Sequence, residues 1–69
     1  MTTAIRLLET APDTQLKRMQ MLFKAIADNR LDDACFTLEN AILEEGKTQW
    51  TKEATNLLVD LKVIIRGAK

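Results

Sequence analysis

Leu31-Asp-Asp-Ala-Cys-Phe-Thr-Leu-Glu-Asn-Ala-Ile-Leu-Glu-Glu-Gly46 is the stretch that decides the fold. Its apolar positions Leu31, Ala34, Cys35, Leu38, Ala41 and Ile42 recur at i, i+3, i+4 and i+7, the spacing of one face of an α-helix. The pattern predicts a helix over 31–45. Asp32 and Asp33 suit the electropositive first turn, whereas Glu44 and Glu45 oppose the dipole at the far end. Gly46 stops the helix, because it takes backbone conformations that other residues resist.

Downstream, Trp50, Ala54, Leu57, Leu58, Leu61, Ile64 and Ile65 form a continuous stripe, predicting a helix over 49–66 with Thr48 as its cap. Lys62 and Arg66 favour its C-terminal end, and residues 67–69 are expected to fray. Upstream, Leu16, Met19, Leu22, Phe23 and Ile26 predict a helix over 14–28, capped by Asp13 and ended at Asn29. A short helix over 3–10 is expected before it, capped by Thr2 or Thr3. It places Ala4, Ile5, Leu8 and Ala11 on one side, and Pro12 stops it. No strand-like alternation is sustained. The short connections favour antiparallel neighbours. The expectation is therefore a single all-α domain over 1–69: an antiparallel helical hairpin or three-helix bundle with a short N-terminal helix. Residues 27–42 are similar to one arm of a helical repeat, but no second copy follows, which excludes a solenoid.

Composition removes most chemistry. The 69 residues contain no His, Ser or Tyr and one Cys, and Lys plus Arg balances Asp plus Glu at ten each. Ser/His and Cys/His nucleophiles and His-based metal sites are excluded, and no Gly-rich phosphate loop, zinc spacing or EF-hand loop is present. Asp28 and Asp32, the one carboxylate pair of interest, sit among solvated charges with no pocket implied. No cofactor, metal or small-molecule substrate is expected. Cys35 is read as a small buried hydrophobe. A single cysteine cannot form an internal disulfide, and no apolar run has the length of a secretory signal or a membrane span. A cytoplasmic location without membrane insertion is expected.

The charge is unevenly spread. Residues 28–45 hold six acids against Arg30 alone, between two mildly basic ends. The pattern reads as attraction between neighbouring helices, or as an acidic face for a basic partner. Nucleic-acid binding is disfavoured: the would-be recognition helix over 31–45 is acidic and repels phosphate.

The informative residues are apolar ones off the stripes. Phe36 and Leu43, seven apart, lie roughly 130–150° from the centre of their helix's inner face at 100° per residue. Val59 and Val63 point nearly opposite Leu61, and Met21 is displaced from the Met19/Phe23/Ile26 line. Trp50, at the start of the last helix, suits either a core anchor or an interface hot spot. Burying one such side chain is worth about 1.5–3 kcal/mol. A domain this small rarely has more than ~3–5 kcal/mol of net stability. The candidate protein-interface set is therefore Met21, Phe36, Leu43, Trp50, Val59 and Val63, facing another helical protein or a second copy of the chain.

One family resemblance bears on function. A chain under about 75 residues opening Met-Thr has an amphipathic helix ending Glu44-Glu45-Gly46-Lys47. Gln49-Trp50 and a last helix finishing Val63-Ile64-Ile65 follow. This plan resembles the small helical co-chaperones of the type III secretion needle, the YscE-like family. The likeness covers mainly residues 31–66; Pro12 and the helix over 14–28 depart from a two-helix hairpin. It implies a non-catalytic cytoplasmic adaptor that pairs with a repeat-type helical chaperone and keeps the needle subunit soluble. The expected function is a non-catalytic interaction module of that kind. The alternative is a homodimeric regulator, of phage or mobile-element type, that binds and inhibits a host protein.

Overall fold

Four helices account for nearly all of the described backbone. A computed structural model describes residues 2–67, with side chains from Ala4 onward. The expected Thr2 or Thr3 side-chain cap and residues 68–69 lie outside this set, while Gly67, expected to fray, is the last residue of the final helix. The helices are α1 (Thr2–Thr10), α2 (Leu16–Ala27), α3 (Leu31–Glu45) and α4 (Gln49–Gly67), with a single 3-10 turn at Asp13–Gln15 before α2. No strand occurs among the described residues, and the architecture is an all-α bundle. Helix α3 lies between α2 and α4, while α1 packs on α4 and more lightly on α2.

Local chemistry fixes most helix ends. At the start of α4 the Thr51 N–H donates to Thr48 Oγ1 at 3.1 Å, and the Thr48 N–H donates to Thr51 Oγ1 at 2.8 Å. This is a capping box with threonine in the place usually held by Glu or Gln. At the end of α3, Gly46 adopts φ 75°, ψ −151° and donates its N–H to the Ile42 carbonyl. That conformation is essentially confined to glycine. Asn29 takes the left-handed conformation, φ 61°, and the following Arg30 N–H closes onto the Ala25 carbonyl at 2.8 Å.

The entry to α2 differs from expectation. Asp13 does not cap it; no side-chain cap is present, and the chain enters through the 3-10 turn, the Gln15 N–H donating to the Pro12 carbonyl. A tertiary contact replaces the local one: Gln15 is fully buried and turned toward the end of α3.

The core is built from Leu7 of α1, Met19 and Leu22 of α2, Leu38 of α3 and Leu61 of α4, with small Ala25, Ala34, Ala41 and Ala54 between them. One stripe is rotated from its sequence reading. Helix α1 buries Ala4 and Leu7 and leaves Ile5 and Leu8 exposed. Leu16 and Ile64, at the stripe margins, are also exposed. Hydrophobicity marks both flanks of a stripe equally; which flank is covered depends on where the neighbouring helix lies.

Candidate interaction face

The inner faces of α2, α3 and α4 converge on the core, so residues about 180° away point to solvent. On α3 those are Phe36 and Leu43, exposed by 69% and 80%. On α4 they are Val59 and Val63, at 54% and 61%. Met21 of α2, at 61%, edges the groove between α2 and α3, which it lines together with Phe36. In the antiparallel α3–α4 pair, Cys35 and Glu39 of α3 share a groove with Lys62 and Ile65 of α4. Phe36 borders both the α2–α3 and the α3–α4 grooves, so the outer residues of α3 lie between its two seams. Phe36, Leu43, Val59 and Val63 consequently open onto one side of the α3–α4 layer, and Met21 extends that side across α2.

Trp50 requires a correction. It is buried, and its Nε1–H donates to the Leu7 carbonyl at 3.0 Å. Pro12 has no N–H to offer Leu8, and the Ala11 N–H goes to Leu8, so the Leu7 carbonyl loses its i+4 partner. The indole supplies it. Trp50 is thus a core anchor and leaves the interface set.

The acidic end of α3 is met by α2 and its entry turn. Gln15 Nε2 donates to Glu44 Oε1 at 3.0 Å and Glu45 Oε2 at 2.7 Å, and Thr14 Oγ1 donates to Glu45 at 3.0 Å. Arg18 Nη1 reaches Glu44 Oε2 at 2.8 Å and Gln15 Oε1 at 3.0 Å. The Arg18 guanidinium holds the Glu44 carboxyl below its ordinary value, against a weaker opposing effect of desolvation. These partners explain why two carboxylates tolerate an unfavourable helix end. Arg6–Glu53 at 3.1 Å joins α1 to α4, and Lys62–Glu39 at 4.0 Å spans the α3–α4 groove. Much of the charge asymmetry therefore serves contacts between helices.

Cys35 lines that same groove from below. Burial pushes its thiol up, and Lys62 pulls it down by less, so the protonated form is favoured. A protonated thiol with no neighbouring base is a poor nucleophile. Among the described residues, no three His, Cys, Asp or Glu side chains gather as a metal cage, and no helix is long and apolar enough to cross a membrane.

Comparison with protein-family models, with curated proteins and with solved structures finds no match to this chain. The sequence reading did not single out Ile5, Leu8, Leu16 or Ile64 as exposed. Their apolar character alone carries no signal separating a covered stripe margin from an open one.

Proposed function

We propose that this chain is a non-catalytic interaction module whose outer α3–α4 face, extended by Met21, docks a helical partner. The observation that carries the reading is the gathering of five half- to four-fifths-exposed apolar side chains on one side of a domain with a small core. Scattered exposed hydrophobes are ordinary; a contiguous apolar surface rimmed by charge marks an interaction site. Phe36 and Leu43, two turns apart on one helix, offer the spacing that an amphipathic helix reads in a groove.

The specific form we propose is a small secretion co-chaperone or adaptor that stabilises its partner by covering apolar helix surface, as the resemblance to the needle co-chaperones implies. A module of this kind works in the cytoplasm and uses no cofactor.

The test is affinity capture from the native host, followed by mass spectrometry, with wild type, Phe36→Asp and Val59→Asp as bait. A helical secretion protein retained by wild type and lost from both folded variants is the expected result. Identical retention by all three baits contradicts the proposed face. Loss of an unrelated protein in place of a secretion component contradicts the co-chaperone form.

A further inference from the structure

We infer that a second copy of this chain covers the outer α3–α4 face, with α3 of each protomer lying antiparallel on α4 of the other. The inference rests on that face being an interaction surface and names what covers it when the chain is alone, before a helical partner takes the second copy's place. The charges on the groove select this arrangement. Along the α3–α4 groove, α3 contributes an acidic bank, Asp32 and Glu39, and α4 a basic bank, Lys62 and Arg66. Two copies placed face to face are related by a two-fold axis lying in the interface. An axis across the helices sets acid on acid and base on base. An axis along them sets each acidic bank against the partner's basic bank and keeps heights unchanged.

The register then follows from the structure. Glu39 and Lys62 stand at the same level within one protomer, 4.0 Å apart, so Glu39 also stands level with Lys62 of the second copy. One helical turn from Glu39, Leu43 comes level with the second copy's Val59, and Phe36 lies near its Val63. The apolar residues meet apolar residues while the banks pair. Glu39 and Lys62 are each about half exposed, so both remain open to a partner across the interface. With zero net charge at neutral pH, no overall repulsion opposes self-association.

Sedimentation equilibrium of the full chain tests this, using wild type, Glu39→Lys, Lys62→Glu and an equimolar mixture of the two variants. Wild type is expected at twice 7.8 kDa. Each variant alone places like charges together at two symmetry-related points, weakening association roughly tenfold. The mixture restores both pairs in trans and returns to the wild-type mass. Pairing confined to one chain gives no such rescue, so a mixture that stays as weak as its components overturns the inference. A wild type that stays at 7.8 kDa overturns it also. The two proposals fail separately. A monomeric wild type that still loses its captured partner on Phe36→Asp removes the second copy and keeps the docking face. A wild type that dimerises while Phe36→Asp leaves capture unchanged keeps the second copy and removes the heterologous partner.

Discussion

Trp50 shows how a single residue joins two distant parts of the chain. Pro12 has no N–H for the Leu8 carbonyl, the Ala11 N–H goes there instead of to Leu7, and the Trp50 Nε1–H, 43 residues away in sequence, satisfies the Leu7 carbonyl. Trp50→Phe keeps an aromatic ring in the core but strands that carbonyl away from water. The expected cost is about 1–3 kcal/mol, the usual penalty for a buried polar group left unpaired. Urea unfolding of the variant measures it, and an unchanged midpoint would show that the bond does not hold α1. Gln15 makes a similar point in reverse. It is fully buried, yet its side chain finds Glu44, Glu45 and Arg18. Neither role is legible in sequence: a tryptophan at a helix start fits a core or an interface, and a glutamine between Thr14 and Leu16 looks like surface.

At the scale of the helices, the ends that rest on local chemistry were readable and those that rest on tertiary contact were not. Gly46, Asn29 and Thr48 act where their backbone and hydroxyl chemistry predicts. The start of α2 does not follow Asp13, because Gln15 is drawn inward to the acidic end of α3. The inner face of α3 follows hydrophobic period closely and that of α4 does so except at Ile64, whereas α1 turns Ala4 and Leu7 inward and leaves Ile5 and Leu8 outside. The clasp between α2 and α3 carries a pH dependence. Arg18 depresses the Glu44 carboxyl below the ordinary 4.5, so the unfolded chain takes up that proton first as pH falls. The contribution is complete above about 4.5 and is lost as pH drops from there through the lower folded value. Thermal melts between about pH 5 and about pH 3 should show a steeper loss in wild type than in Glu44→Gln. Parallel declines would mean that the clasp contributes nothing.

For the whole molecule, what matters is which apolar side chains lie inside. Leu38 and Leu61 are essentially sealed from water, while Phe36, Leu43, Val59 and Val63 are more than half exposed. The sequence separated these two groups by angle alone, and it did so where a helix has a well-defined inner stripe. What angle cannot supply is the relative placement of α3 and α4 that puts the four residues on one side. The measurement that bears most directly on the central claim is thermal melting by far-ultraviolet circular dichroism of Phe36→Asp and Val59→Asp beside Leu38→Asp and Leu61→Asp. The account predicts that the first pair stays helical and melts cooperatively, whereas the second pair, with an unpaired charge forced into the core, is unfolded. Loss of helix in Phe36→Asp and Val59→Asp would place those residues in the core and contradict it.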